Sequence, residues 1–190
     1  MEYLLCVGDS LTFGARDEYL SSYPAELSRL YWERKKKSVY CVNHSTNGLT
    51  SSQLVPKIYG IAKSCPQGKA ALLVIGSNDT QIPLRPDIYE DNLRQIISVL
   101  KESFSKLGIG LLPPIIGPGL PVYPKDAQEQ VDVFNKIILK LAKEHGCFTA
   151  DFRDLGKYVI DTVHFNHEGY VKMAEIWFDA LEKLNIVREG

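Results

Sequence analysis

Short apolar runs alternate along this chain with longer segments in which apolar residues recur every three or four positions. Continuous apolar runs are typical of strands buried on both faces, and the longer spacing is that of an amphipathic helix. The pattern predicts strands over 3–7, 38–43, 70–75, 109–112 and 147–150. It predicts helices over 22–36, 51–63, 126–145 and 167–184, and a further helix that Pro86 opens and Gly108 stops.

Three of the predicted helices have a clear apolar face. Asn166 is the predicted N-cap of the last helix, and Gly146 is predicted to end the helix over 126–145. The positions predicted to face the core are Ile88, Leu93, Ile96, Ile97, Leu100, Phe104, Val133, Phe134, Ile137, Ile138, Leu141, Met173, Trp177, Leu181 and Leu184.

Alternating strands and helices are typical of βαβ units, in which a parallel sheet carries helices on both faces. The chain has 190 residues with no internal repeat and no linker, so we predict a single domain over 1–190. Ligands of open α/β sheets bind at the carboxyl edge of the strands. The residues that follow each strand are therefore the first candidates for function.

Charge and composition argue against several classes of function. The formal net charge is −1, so we expect no nucleic-acid partner. The chain starts without a basic segment, and its apolar runs are too short to span a bilayer, so we expect neither secretion nor stable membrane insertion. Four cysteines without a C-x-x-C pair predict free thiols, no structural zinc and a cytoplasmic location. The sequence leaves the oligomeric state open.

Glycines and polar residues collect after the predicted strands. Such residues occupy 8–10 after the first strand, 43–48 after the second and 76–79 after the third. Beyond the fifth strand, ahead of the last helix, they occupy 161–164. Because the carboxyl ends of parallel strands share one edge of a sheet, we expect these segments to converge.

The converging residues suit acyl transfer. Ser10 is a candidate nucleophile, His164 can act as its base, and Asp161 can orient the imidazole and hold its tautomer. The N–H groups of Ser10 and Gly48 and the side-chain amide of Asn78 are candidate donors to the oxyanion of a tetrahedral intermediate.

Four motifs resemble those of the SGNH hydrolases, which include the GDSL-type esterases and lipases. Gly-Asp-Ser-Leu-Thr-Phe-Gly at 8–14 resembles the first block of that family, and 42–48 resembles the second. Gly-Ser-Asn-Asp at 76–79 fits the third block, G-x-N-D, and Asp-Thr-Val-His at 161–164 fits the last, D-x-x-H. The resemblance covers essentially the whole chain, whereas the G-x-S-x-G motif of α/β-hydrolases is lacking.

The resemblance implies a fold, a reaction and four site residues. The fold would be a three-layer α/β/α, flavodoxin-like sandwich with a five-stranded parallel sheet. The reaction would be serine-dependent hydrolysis of an ester or thioester without a cofactor. Ser10 would be the nucleophile, Gly48 and Asn78 would be oxyanion donors, and His164 would be the catalytic histidine.

Each motif alone has a simpler interpretation as a turn. Gly, Asp, Ser and Asn are common turn residues, and Asp161 with His164 alone is equally typical of a surface pair. His167 makes a metal site with these two residues conceivable, but an exposed histidine at a helix start is the better interpretation. His44 is a weaker candidate for the pocket. The conjunction of four motifs in the expected order favours the enzyme.

A small-molecule ester with a short acyl chain or a small alcohol is the expected substrate, because short connections leave little room for a lid. A thioesterase, lysophospholipase or acyltransferase on the same site is the nearest alternative. A non-catalytic binding module is an alternative of another class. Five residues beside the motifs are candidates for the substrate pocket, with core packing as an equal alternative: Phe13, Ile82, Leu120, Tyr123 and Phe165.

Overall fold

Five parallel strands form the sheet in the computed structural model, which describes residues 1–82, 84–116 and 122–187. The strands are β1 (Glu2–Gly8), β2 (Val39–Ser45), β3 (Gly68–Val74), β4 (Leu107–Leu111) and β5 (Phe148–Asp151). Their order across the sheet is β2-β1-β3-β4-β5, and every neighbouring pair is parallel. All the predicted strands are confirmed, with ends that move by one or two residues.

Helices connect the strands. They are α1 (Ser10–Phe13), α2 (Tyr23–Lys35), α3 (Ser51–Leu54), α4 (Ile58–Lys63), α5 (Pro86–Ser103), α6 (Ala127–His145) and α7 (His167–Lys183). Short 3₁₀ turns occupy Asn78–Thr80 and Arg153–Tyr158. Within the described ranges, no helix is long and apolar enough to cross a membrane.

Helices cover both faces of the sheet because the central strands are apolar on both sides. Leu5 and Val7 of β1 lie in a core with α3, α4, α5 and α6, whereas Leu4 and Cys6 lie in a core with α2 and α7. The result is the expected three-layer α/β/α sandwich with flavodoxin-like strand order. The order reverses between β1 and β3, and ligands of such sheets bind at this reversal.

Gly108 does not stop α5, so that prediction is wrong. The helix ends at Ser103, and Phe104 is extended and buried in the core. Gly108 lies inside β4, where a Cβ would come 2.5 Å from the Phe148 ring and 2.7 Å from the Trp177 ring. This glycine therefore allows the rings to pack closely against the strand.

The single helix predicted over 51–63 is also wrong, because two short helices fill this range. Thr50 and Gln53 form a capping box at the start of α3, which ends at Leu54. Pro56 follows, and it has no N–H to continue the helix, so α4 starts afresh at Ile58.

Ile88, Val133 and Leu184 are exposed, in contrast to the prediction, whereas all the other predicted core positions are buried. In α5, Tyr89 takes the buried position beside Ile88, and its ring stacks on Phe134 with centroids 3.9 Å apart. On α6, Phe134 takes the buried position beside Val133. Leu184 lies beyond the end of α7.

The helix boundaries predicted at Asn166 and Gly146 are confirmed. Asn166 caps α7 by accepting a hydrogen bond of 3.0 Å from the Gly169 N–H. Gly146 follows α6 in the left-handed conformation, with φ of 63°.

Candidate active site

Ser10 lies where β1 turns into α1. A Cβ at Gly8 would lie 2.2 Å from the Val74 carbonyl oxygen, so only glycine fits between β1 and β3 there. Asp9 caps α1, because its Oδ1 accepts a hydrogen bond of 2.9 Å from the Leu11 N–H. Ser10 is the first residue of α1 and lines a cleft of about 760 Å³ at the carboxyl edge of the sheet.

The His164 imidazole lies between Ser10 and Asp161. Its Nε2 is 3.0 Å from Ser10 Oγ, and its Nδ1 is 2.8 Å from Asp161 Oδ2. The tautomer with a proton on Nδ1 donates to Asp161 and leaves Nε2 free to accept the hydroxyl proton of Ser10. The fold thus brings the three predicted residues together in the geometry that nucleophilic catalysis requires.

Asp161 is held by its own turn. Its Oδ1 accepts backbone N–H groups of Thr162, Val163 and His164 at 2.6, 3.1 and 3.0 Å. Partial burial alone would raise the pKa of the Asp161 carboxyl, but these hydrogen bonds and the one from the His164 ring outweigh burial and lower the pKa to about 2. Arg16 Nε lies 3.6 Å from Oδ2. Asp161 is therefore a carboxylate at neutral pH.

Gly48 and Asn78 line the same cleft as Ser10. Gly48 has φ of +75°, and a Cβ there would meet no atom within 4 Å, so glycine serves the backbone conformation rather than the space. Asn78 Nδ2 donates to the Leu49 carbonyl at 3.1 Å, and its Oδ1 accepts from Gln81 Nε2 at 2.9 Å. Among the described residues nothing else accepts from Nδ2, so its second N–H is available to a ligand.

Two buried carboxyl groups, Asp9 and Asp79, support the loops that carry these residues. Burial, together with the charge of Asp79, raises the pKa of Asp9 to about 7, although the Leu11 N–H opposes this. Burial also raises the pKa of Asp79 to about 6, against hydrogen bonds that the Ser51 hydroxyl and N–H donate. Asp9 Oδ2 has no hydrogen-bond partner within the described residues. Asp79 ties the start of α3 to the 3₁₀ turn that follows β3.

The five residues predicted for the substrate pocket lie in different places in the structure. Phe13 and Tyr123 line the cleft, Ile82 is exposed outside its wall, and Leu120 lies outside the described residues. Phe165 is fully buried in the core, which corrects the interpretation of it as a pocket residue.

The local backbone explains why Phe165 is buried. Phe165 pairs with Val159 in an isolated β-bridge. Neighbouring side chains of an extended segment point in opposite directions. Because His164 lines the cleft, Phe165 points away from it, and its ring packs against Tyr170 with centroids 5.7 Å apart.

Sequence reasoning missed the segment after α1. Residues 14–22, which we call the cleft loop, connect α1 to α2 and contribute Arg16, Asp17, Leu20 and Ser21 to the cleft wall. Asn47 and Gln81 also line the cleft. Beyond Gly14, the last residue of the Ser10 motif, the cleft loop has neither apolar periodicity nor a motif, and its only sequence signal is its position directly after that motif.

His167 and His44, the other histidines considered for the site, make hydrogen bonds to residues other than Ser10, Asp161 and His164. His167 Nδ1 lies 3.1 Å from Asp17 Oδ2 and therefore does not join Asp161 and His164 in a shared site. His44 Nε2 lies 2.8 Å from Ser64 Oγ, and His44 does not line the cleft. In the described part of the chain, no group of three or more His, Cys, Asp or Glu side chains could hold a metal ion.

Comparison with known families agrees with this geometry. The sequence profile of the GDSL-like Lipase/Acylhydrolase family matches residues 6–172. The chain belongs to this family. As a GDSL-like hydrolase it is a carboxylic ester hydrolase with a small-molecule substrate, and the resemblance of its motifs to the SGNH hydrolases is confirmed. No curated protein sequence matches it significantly.

Solved structures of low sequence identity share the fold of this GDSL-like hydrolase. The lipase/acylhydrolase from Enterococcus faecalis is 17% identical, with a TM-score of 0.83 and 97% of each chain covered. LAE5, an α/β hydrolase from the metagenome of Lake Arreo, is 20% identical, with a TM-score of 0.79 and coverage of 97% and 96%. A variant of Axe2, an acetyl-xylooligosaccharide esterase from Geobacillus, is 20% identical, with a TM-score of 0.78 and coverage of 99% and 95%.

Proposed function

We propose that this protein hydrolyses small carboxylic esters by serine-dependent catalysis through an acyl-enzyme. The observation that carries the proposal is the chain of contacts from Ser10 Oγ to His164 Nε2, at 3.0 Å, and from His164 Nδ1 to Asp161 Oδ2, at 2.8 Å. A serine hydroxyl is a weak nucleophile unless a base accepts its proton, and His164 is in hydrogen-bond reach to do so.

In the first half-reaction Ser10 Oγ attacks the carbonyl carbon of the ester, and its proton passes to His164 Nε2. The Asp161 carboxylate stabilises the imidazolium that forms. The oxyanion of the tetrahedral intermediate accepts hydrogen bonds from the N–H groups of Ser10 and Gly48 and from Asn78 Nδ2. The bond to the alcohol oxygen then breaks, and His164 Nε2 donates its proton to the departing alkoxide.

In the second half-reaction a water molecule attacks the acyl carbon. His164 Nε2 takes a proton from this water, and the same donors stabilise the second oxyanion. When the bond from the acyl carbon to Ser10 Oγ breaks, His164 returns the proton to Oγ. The carboxylic acid leaves and the enzyme is restored, with no cofactor required.

The cleft supports a small substrate. Its volume of about 760 Å³ lies within the range of small-molecule sites. Its wall mixes apolar side chains such as Phe13 and Leu20 with polar ones such as Asn47 and Gln81, which suits a short acyl group or a small alcohol. The four cysteine thiols are unpaired, which supports a reducing compartment such as the cytoplasm.

Hydrolysis of p-nitrophenyl esters from acetate to palmitate tests the proposal. The wild type should be most active on short chains, and Ser10→Ala should lose activity on all of them. Ser98→Ala, which removes an exposed hydroxyl from α5, is the matched control and should remain fully active. Full activity of Ser10→Ala would show that Ser10 is not the nucleophile.

Labelling with a fluorophosphonate separates the remaining alternatives. Labelling of Ser10 in the wild type without ester hydrolysis would indicate a narrow substrate range, whereas no labelling would favour a binding module. Product analysis in the presence of an added small alcohol distinguishes hydrolysis, which releases the free acid, from transfer of the acyl group to the alcohol.

A further inference from the structure

The cleft loop has an unusual backbone. Arg16 and Leu20 lie in the left-handed region, with φ of 70° and 54°. Such a conformation is unfavourable for a residue with a Cβ, so it persists only where surrounding contacts impose it. The cleft loop must therefore be held in place by specific partners.

Asp17 is the centre of these contacts. Its side chain is completely buried although it carries a carboxyl group. Its Oδ1 accepts a hydrogen bond of 2.8 Å from the Tyr19 N–H, and its Oδ2 lies 3.1 Å from His167 Nδ1. Buried carboxyl groups require such partners, because burial removes the water that would otherwise solvate them. Asp17 thus joins the cleft loop to the first residue of α7.

The first turn of α7 makes further contacts with the cleft loop. The His167 N–H, which has no acceptor inside its own helix, donates to Glu18 Oε2 at 3.2 Å. The Tyr170 hydroxyl donates to the Ala15 carbonyl at 2.6 Å. The Tyr19 ring packs edge-on against the His167 ring with centroids 4.8 Å apart. The start of α7 therefore fixes the cleft loop from several directions.

We propose that His167, through Asp17, positions the cleft loop for substrate binding. This inference rests on the proposed function. His167 follows His164 by three positions, so the wall of the cleft and the proposed base are held by one short segment. Substrate sites work only when wall and reacting groups keep their relative geometry. His167 is a positioning residue, because within the described residues its hydrogen bonds go to the loop and not to Ser10 or His164.

The role depends on one hydrogen bond that substitution can remove or keep. His167 Nδ1 carries a proton when it donates to Asp17 Oδ2. An asparagine amide at this position offers an N–H at a similar distance from the backbone, whereas alanine offers none. Phenylalanine keeps a ring against Tyr19 but lacks the donor. The His167→Asn, His167→Ala and His167→Phe variants therefore separate the hydrogen bond from the packing.

Amide hydrogen exchange and steady-state kinetics on p-nitrophenyl acetate test the proposal together. In His167→Ala, exchange across 14–22 should rise about tenfold, as expected for the loss of a hydrogen bond to a charged group. KM should rise about fivefold to tenfold while kcat stays within about threefold, because the loop lines the cleft and supplies none of the proposed reacting groups. His167→Asn should restore both properties towards wild type.

Two further variants keep the result unambiguous. If His167→Ala fails to fold, the same measurements on His167→Phe test the positioning role. Amide exchange across 14–22 and KM should rise in this variant as expected for His167→Ala. His145→Gln is the control, because His145 ends α6 at the amino edge of the sheet, far from the cleft, and it should change neither property.

Unchanged exchange at 14–22 in both donor-less variants would overturn the positioning role, as would unchanged KM. A loss of kcat as large as the rise in KM would also overturn it, because His167 would then act in the chemistry. If the wild type hydrolyses no ester, the proposed function fails. Hydrogen exchange still decides whether His167 holds the cleft loop.

Discussion

Asp161 uses its two carboxyl oxygens for different tasks: Oδ2 lies 2.8 Å from His164 Nδ1, while Oδ1 accepts three backbone N–H groups of the same turn. The second set of bonds fixes the carboxylate, and the carboxylate fixes the ring. All these bonds lie within residues 161–164. The orientation of the His164 imidazole towards Ser10 is therefore set by this four-residue segment. Hydrogen bonds between residues close in sequence therefore fix the positions of Asp161 and His164.

Asp161→Asn should lower kcat by about 10²–10⁴ with little loss of stability. The asparagine oxygen can still accept the backbone N–H groups, but its NH₂ then faces His164 Nδ1. That contact favours the tautomer with the proton on Nε2, which cannot accept the proton of Ser10. Steady-state kinetics and thermal unfolding measure the two effects. The exposed Asp154→Asn is the control, and normal kcat in Asp161→Asn would contradict the orienting role.

Asn78→Ala should lower kcat by about 10²–10³ and change KM little, because the amide is proposed to act on the oxyanion and not on the ground state. Kinetics with p-nitrophenyl acetate measure this. Asn185→Ala, at an exposed position beyond the end of α7, serves as the control. A raised KM with normal kcat would instead make Asn78 a substrate-binding group.

Gly48→Ala should reduce activity at least tenfold through the backbone alone. The added Cβ meets no atom within 4 Å, but φ of +75° costs a residue with a Cβ about 1 kcal/mol, so the peptide shifts and its N–H leaves the cleft. Gly60→Ala in α4 is a matched control, since its Cβ also enters open space without a positive φ.

The control should keep full activity and gain about 0.5–1 kcal/mol in the free energy of unfolding, because alanine favours a helix over glycine. Chemical denaturation and kinetics on both variants check this contrast. Equal activity of Gly48→Ala and Gly60→Ala would show that the Gly48 N–H does not stabilise the oxyanion.

Asp9 should make the protein less stable as pH rises from about 4 to about 7. Burial raises its pKa to about 7 in the folded protein, whereas the unfolded chain releases the proton near pH 4. Between these values the folded state binds more protons, so the free energy of unfolding falls with increasing pH. Asp9→Asn stays neutral and should therefore escape this loss.

Urea denaturation at pH 5 and pH 8 measures the Asp9 effect. The stability of Asp9→Asn relative to wild type should improve between these pH values by roughly 1–3 kcal/mol. Asp79, with a pKa raised to about 6, remains in the variant and should leave part of the slope. An identical pH dependence of both proteins would show that Asp9 is ionised in the folded state across this range.

Local sequence signals predicted the framework of the fold. The run 70–75 is apolar throughout, and β3 is buried on both faces because helices cover both sides of the sheet. Asn166 and Gly146 predicted helix ends because capping depends on one side chain or one φ angle. Gly108 misled the same reasoning, since a glycine also serves where aromatic rings crowd a strand.

The sequence by itself determined the strands, the helix caps at Asn166 and Gly146, and the motif residues Ser10, Asp161 and His164, because periodicity, capping and each short motif are local properties. Tertiary structure decided the walls of the cleft. Phe165 is buried because its neighbour His164 faces the cleft. Asp17 contacts His167, which lies 150 residues further along the sequence. Such contacts depend on how separate elements pack, and no local pattern encodes which loop side chain a distant helix start will bind.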